Sequence, residues 1–402
     1  MRAVFSPSDP RGNVAAPPSK SMAHRLLICA GLADGVSRIE GIEPSEDVSA
    51  TLDCLSALGA TVEVSNGTAT VRGTDPKKAK SAILHCRESG STLRFFLPLS
   101  LLAGEKMILT GSRTLLARPL SVYEKLADEK GFLLEKEEKA VRAAGKLTSG
   151  DYELPGDVSS QFVSGLLFAL PLLRGDSTIR LLPPVESRSY LDLTVSALAD
   201  FGVTVVWTDE TTILVPGGQR YRAHDASVEG DWSNAAPFLS LGVGVTGLRE
   251  DSLQGDRRIS GFLAALDRGS AEIDLSDCPD LAPVLFAYAA LRHGGRFTGT
   301  RRLAIKESDR GEAMKAELAK CGVAASVGEN EITVGCGARP PREPLCGHND
   351  HRIVMADAVL LSNLGGALEG IEAVGKSYPG FFRDLKKCNV KVETENGMDI
   401  EK

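Results

Sequence analysis

A chain of 402 residues, 43% hydrophobic and 25% charged, is long enough for two globular domains of roughly 200 residues each. Its formal net charge of −7 argues against non-specific nucleic-acid binding. The opening MRAVFSPSDPRGNV lacks the apolar core of a secretory leader, and the longest apolar runs, such as VSGLLFALPLL, suit buried helices rather than membrane spans.

Cys29, Cys54, Cys86, Cys278, Cys321, Cys336, Cys346 and Cys388 form no CxxC pair. They read as small reduced hydrophobes of a cytoplasmic protein. The six histidines show no HExxH spacing, so no protein-built metal site is expected.

The first expected helix, SKSMAHRLLICAGLA, follows Pro17 and Pro18 and is apolar nearly all round, the mark of a buried helix. An amphipathic helix comes next, closed at Gly59 in LDCLSALGATVEV and followed by an alternating strand. The same pair then returns down the chain. SGSTLRFFLPLSLLAG precedes YEKLADEKGFLLE, and SSQFVSGLLFALPLL precedes VSALADFGVTVVW. DWSNAAPFLSLGVG precedes FLAALDRGSAEI, CPDLAPVLFAYAAL precedes KAELAKCGVAASV, and NDHRIVMADAVLLSNLGG precedes FRDLKKCNVKVE.

The closing residues Gly59, Gly131, Gly202, Gly269, Gly322 and Asn389 suit a left-handed turn after a helix. Their spacings are 72, 71, 67, 53 and 67 residues. Six matched pairs in fixed order predict six related units, each with one interior helix, one surface helix and a few strands. Three units per half make two similar domains. The expected limits are 17–227 for one domain, and 1–16 with 228–402 for a discontinuous second one, joined by a two-strand hinge.

The interior helices begin at Lys20-Ser21, Ser89-Gly90-Ser91, Ser159-Ser160-Gln161, Asp231-Trp232-Ser233, Pro279-Asp280 and Asn349-Asp350. Ser, Asp and Asn are good caps, which suffices as a structural reason for them. Unpaired N–H groups at a helix start also attract anions. With three such helices parallel in each domain, six positive ends would face one anion-attracting cleft.

Cations accompany these starts: Lys20, Arg25, Arg94, Arg118, Lys306, Arg310, Arg352 and Lys376. Any one of them reads as a surface charge. Together they suit a site for several phosphates and carboxylates. Asp280, Glu307, Asp309 and Asp350 lie in the same segments. Asp280 reads either as a helix cap or as a general base, and Glu307 either as a first-turn acid matched to the helix dipole or as an acid–base group. No phosphate-cradling or dinucleotide glycine motif is present, so neither ATP nor NAD is indicated.

PSKSMAHR, ESGSTLR, ARPL, SSQF, CPDLAP, KESDR, NDHR and GKSYPGFF, in that order over residues 17 to 382, resemble the EPSP synthase branch of the enolpyruvyl transferases. The resemblance implies an α/β fold of two similar domains, each of three βαβαββ-type units around buried parallel helices. It also implies no metal and no organic cofactor. The implied reaction joins phosphoenolpyruvate to the 5-hydroxyl of shikimate 3-phosphate through a tetrahedral intermediate, with domain closure. A cytoplasmic monomer is expected, with these small molecules as its partners and neither nucleic acid nor membrane.

By motif position, Lys20, Ser21, Arg25, Ser159, Ser160, Gln161, Ser187, Tyr190, Asp280 and Lys306 would hold shikimate 3-phosphate. Lys20, Gly90, Arg118, Gln161, Arg310, Arg352 and Lys376 would hold phosphoenolpyruvate. Asp280 would take the 5-hydroxyl proton, and Glu307 with Lys20 would move the proton at C3. The chain departs from the family at Glu88-Ser89-Gly90-Ser91, where NAGT is commoner. It departs again at Phe95, where Pro or Leu is frequent, and at Arg302, where many members carry Asn.

Two alternatives stand beside this reading. One is the sister transferase acting on UDP-N-acetylglucosamine, which typically carries Lys-Asn at the first helix and Cys five residues before the Arg-Pro pair. Here those positions are Lys20-Ser21 and Arg113, which favours shikimate. The other is a non-catalytic binder of phosphorylated ligands, for which Asp280 and Glu307 would be a hindrance because they repel an anion.

Overall fold

Five four-stranded sheets share one plan. In the computed structural model, which describes residues 1–80 and 82–395, the first two strands of each sheet are parallel. The remaining two form an antiparallel hairpin or its equivalent. The sheet Ile83–His85, Met107–Thr110, Ala140–Ala144, Leu133–Lys136 shows the logic. Helix Gly90–Ser100 makes the crossover between its parallel strands, and Ser121–Lys130 leads into the hairpin. A parallel pair needs such a crossover, whereas a hairpin needs only a tight turn. In the first sheet that turn is Asn66-Gly67, with φ of 50° and 72°, as a two-residue type I′ loop requires.

The chain divides into two units, Pro18–Glu229, and Met1–Pro17 with Gly230–Lys402. Two short strands are exchanged at the boundary. Asn13–Ala15 leads into helix Lys20–Leu32, yet pairs in parallel with Gly244–Thr246 in the unit holding the N-terminus. Conversely, Ala226–Ser227 leads into helix Trp232–Ser240 but pairs with Val36–Glu40 in the unit Pro18–Glu229. The N-terminal strand Arg2–Ser6 fills the third position of the sheet containing Leu345–Cys346, Gly366–Glu369 and Lys391–Thr394.

The fourth expected copy is incomplete. After helix Ile259–Arg268, strand Ala271–Asp274 makes no hairpin; it is the first strand of the next sheet, parallel to Gly295–Thr298. Its own sheet has two strands among the described residues. The turn residue reflects this. Gly59, Gly131, Gly202, Gly322 and Asn389 have φ between +64° and +104°, whereas Gly269 has φ 157° and ψ −175° and runs on extended.

Each unit has its own apolar core. In helix Ala282–Leu291 nine of ten residues are buried, so it is covered on every side. Burying each Leu or Phe of such a helix stabilises by about 1.5–3 kcal/mol before the entropy of ordering is set against it. Helices Gly90–Ser100 and Ser160–Ala169 approach closely at Gly165, where a Cβ would stand 2.4 Å from the Arg94 carbonyl. Tyr123 Oη bridges the carbonyls of Arg94 and Phe162 at 2.7 and 3.0 Å beside that contact. Among the described residues no helix is long and apolar enough to cross a membrane. Six of the eight cysteines are buried; Cys336 and Cys346 are exposed.

Candidate active site

In the unit Pro18–Glu229, the first turns of several helices meet through their side chains. Ser19, not Ser21, caps Lys20–Leu32 by accepting from the Met22 N–H at 3.4 Å. One turn further, Arg25 is 2% exposed. Its guanidinium donates to the Ser21 carbonyl at 2.7 Å, to the Tyr190 carbonyl at 2.9 Å and to Thr194 Oγ1 at 2.8 Å. Ser164 Oγ lies 2.8 Å from the same Thr194 hydroxyl. Burial, partly offset by Tyr190 and Cys29, pushes the Arg25 guanidinium down to about 10, still charged at neutral pH. Ser187, just before helix Arg188–Asp200, is buried and held at φ 55°, a strained position of the kind that clusters at functional sites.

Gln161 follows Ser159, which caps its helix, and Ser160, the first helical residue. The Gln161 amide is oriented at both ends. Arg94 Nη1 donates to Oε1 at 2.6 Å, and Nε2 donates to Ser91 Oγ at 2.8 Å. Gly90 lies beneath Arg118, and a Cβ there would be 2.7 Å from Arg118 Nη1. Lys20 pairs with Asp47 at 3.0 Å, both largely shielded from solvent. Behind them runs a buried chain from His24 Nδ1 to Thr51 Oγ1 (2.7 Å), to Thr92 Oγ1 (2.9 Å) and to Ser89 Oγ (2.8 Å).

In the other unit, Asp280, Lys306, Glu307, Arg310 and Arg352 form one connected cluster. Arg310 is 1% exposed. Its Nη1 donates to Asp280 Oδ1 at 2.9 Å, its Nη2 to Glu307 Oε2 at 2.8 Å, and its Nε to Asp350 Oδ2 at 2.8 Å. Lys306 Nζ reaches Asp280 Oδ1 at 3.3 Å, and Arg352 Nη2 reaches Oδ2 at 3.4 Å. Arg352 Nη1 also donates to Asn234 Oδ1 at 2.9 Å. Lys376 Nζ donates to the carbonyl and to Oδ1 of Asn349, the residue before Asp350.

Burial pulls the Lys306 ammonium down, with Arg310 and Arg302 adding to the effect and Asp280 opposing it. Burial disfavours the Arg310 cation too, but Asp350, Glu307 and Asp280 together hold its pKa well above the ordinary value. For Arg352, burial is outweighed by Asp280 and Asp231.

The structural alternatives for both acids fail. Asp280 caps no helix; it sits in the short turn Pro279–Leu281, its carboxylate facing three cations. Glu307 precedes helix Arg310–Lys320 rather than lying in its first turn, and Asp309 caps that helix. Three cations, Lys306, Arg310 and Arg352, are interleaved with Asp280, Glu307 and Asp350, because an unpaired buried charge is strongly disfavoured. Arg302, the departure from the family pattern, is buried and donates to the Ser276 carbonyl.

Sequence reasoning missed Asp47, Thr194 and Asn234. Asn234 had a signal, since it belongs to the DWSN helix start and accepts from Arg352. Asp47 and Thr194 lie on surface helices and had none. Among the described residues no group of three or more His, Cys, Asp or Glu is placed to hold a metal ion.

A family model described as EPSP synthase (3-phosphoshikimate 1-carboxyvinyltransferase) matches residues 5–385. A protein of Clostridium kluyveri named 3-phosphoshikimate 1-carboxyvinyltransferase is 41% identical, with 97% of each chain covered. One of Clostridioides difficile with the same name is 35% identical, over 97% of this chain and 98% of its own. Two solved structures of EPSP synthase from Acinetobacter baumannii superpose with a TM-score of 0.78 at 22% identity. They cover 98% of this chain and 99% and 100% of theirs, and at that identity they speak for the fold.

Proposed function

The chain belongs to the EPSP synthase family; it is an enolpyruvyl transferase of the shikimate pathway, and we propose which of its residues carry the transfer. Shikimate 3-phosphate is held by Lys20, Ser21, Arg25, Ser159, Ser160, Gln161, Ser187 and Tyr190, with Lys306 and Asp280. Phosphoenolpyruvate is held by Lys20, Gly90, Arg118, Gln161, Arg310, Arg352 and Lys376. The enzyme acts as a cytoplasmic monomer.

In this reading the 5-hydroxyl oxygen bonds to C2 of phosphoenolpyruvate while its proton passes to Asp280. C3 takes a proton from Glu307, with Lys20 assisting. The C2–O bond to phosphate then breaks, C3 gives its proton back, and enolpyruvyl shikimate 3-phosphate leaves with inorganic phosphate, which carries off the proton held by Asp280.

The observation that carries the reading is Asp280 held by Arg310 from a wholly buried side chain, with Glu307 on the same guanidinium. Two carboxylates are thus fixed one guanidinium apart among cations. A binder for anions gains nothing from them, whereas addition followed by elimination needs a proton moved at each of two atoms. Fixed cations also stabilise the anionic intermediate without having to reorganise as charge shifts.

The test is release of inorganic phosphate from phosphoenolpyruvate, with shikimate 3-phosphate and UDP-N-acetylglucosamine compared as acceptors. Release with the shikimate ester alone is expected. Release with the nucleotide sugar, or with neither acceptor, overturns the reading.

A further inference from the structure

Glu317 lies outside the groups assigned above, on helix Arg310–Lys320, two turns from Arg310. It is 1% exposed, an unusual setting for an acid. Its carboxylate is saturated by donors. Lys320 Nζ reaches Oε2 at 2.9 Å and Oε1 at 3.2 Å, the Cys346 N–H reaches Oε2 at 2.9 Å, and His348 Nε2 donates to Oε1 at 2.7 Å. Two of these donors belong to the segment Leu345 to Asp350 that leads into helix His351–Leu364.

That segment is strained. His348 and Asn349 are consecutive non-glycine residues in the left-handed region, with φ of 49° and 53°. Such a conformation persists only where its surroundings over-determine it. The turn closes from Asp350 N–H to the Gly347 carbonyl at 2.8 Å, and Gly347 N–H is tied to the Glu369 carbonyl at 2.8 Å. The His348 side chain ties the turn to Glu317.

What this turn presents is the site. Asn349 holds Lys376 Nζ with its carbonyl at 2.8 Å and its Oδ1 at 2.9 Å. Asp350 takes the Arg310 guanidinium and caps the helix that begins with His351 and Arg352. Asp357, two turns along that helix, is fully buried, and both its oxygens are without hydrogen-bond partners. Burial, with the nearby Glu317 carboxylate adding to it and Lys320 opposing it, pushes its carboxyl well above the ordinary range.

We infer that Glu317 and His348 are positioning residues for phosphoenolpyruvate: their hydrogen bond holds the His348-Asn349 turn that sets Lys376, Asp350 and Arg352. The inference rests on the assignment of Lys376 and Arg352 to that substrate. A residue acting only on fold stability would lower the melting temperature and leave both Michaelis constants alike. A positioning residue separates them.

The experiment compares His348→Ala, His348→Gln and Glu317→Ala by steady-state kinetics with each substrate varied. For His348→Ala we expect the phosphoenolpyruvate KM to rise about tenfold, with the shikimate 3-phosphate KM held within about twofold. The amide N–H of His348→Gln restores most of the loss. Glu317→Ala behaves like His348→Ala; should it not fold, His348→Ala, at a partly exposed position, carries the test by itself. Wild-type kinetics in His348→Ala, equal changes in both KM values, or no rescue by glutamine overturns the inference. Lys376→Ala, assayed alongside, separates the two claims. A raised phosphoenolpyruvate KM there with wild-type values in the turn variants overturns the inference alone. A wild-type KM in Lys376→Ala overturns the site assignment and the inference with it.

Discussion

Arg310 Nη1 donates to Asp280 Oδ1 over 2.9 Å from a side chain that is 1% exposed, while Asp280 keeps about a fifth of its side-chain surface open. A buried cation on a partly exposed carboxylate holds it in place. Such an arrangement fixes direction as well as charge, which a general base needs more than affinity.

Asp280→Asn keeps the shape and removes the base. The expected result is a fall in kcat of at least ~10²-fold, with both KM values within a few-fold. Binding persists because Arg310 retains Glu307 and Asp350 as partners, so the cluster does not collapse into unpaired charge. Steady-state assays decide it, and an unchanged kcat removes Asp280 from the proton transfer.

Gly90→Ala acts on Arg118. The new Cβ would stand 2.7 Å from Arg118 Nη1, inside contact distance, so the guanidinium must move. The phosphoenolpyruvate KM should rise about tenfold, and the shikimate 3-phosphate KM should stay within about twofold. Melting temperature is the control. An unchanged melting temperature excludes unfolding as the cause of the loss. An unaltered phosphoenolpyruvate KM would mean that Arg118 is not where this substrate binds.

His24 predicts a pH dependence of stability. Burial, reinforced by Lys20 and Arg25, pushes its imidazole down to about 3, against 6.5 for an exposed histidine. The unfolded chain therefore takes up a proton below pH 6.5 that the folded chain refuses. Stability from this group is fully present above pH 6.5 and falls as the pH drops towards 3, by about 1.4 kcal/mol per pH unit. Urea unfolding of the wild type and of His24→Gln should differ most at neutral pH and converge on acidification. Parallel curves from pH 7 to pH 4 would show that His24 is not buried as a neutral ring.

Much of this was legible beforehand, for identifiable reasons. Apolar runs such as those of Ala282–Leu291 and His351–Leu364 report burial on all sides, because a helix that faces water carries a polar stripe. Five of the six turn residues adopt the left-handed conformation their chemistry favours. The sixth, Gly269, expected as a left-handed turn, runs on extended instead, because a glycine tolerates an extended backbone equally well. The pairing of Asn13–Ala15 and Ala226–Ser227 has no local signature, since parallel pairing leaves no mark on strands of three and two residues.

The site divides the same way. The chain's own order of residues determined which chemical groups are present and at which helix starts, because caps, turns and apolar faces are decided within a few residues of each position. It did not determine their partners. That Asp280 meets three cations instead of capping a helix, that Glu307 shares Arg310 with it, and that a buried Glu317 steadies a strained turn depend on contacts between segments 26 to 72 residues apart or on two bonds from one guanidinium. Burial makes those pairings obligatory, and burial is a property of the folded unit, not of any one segment.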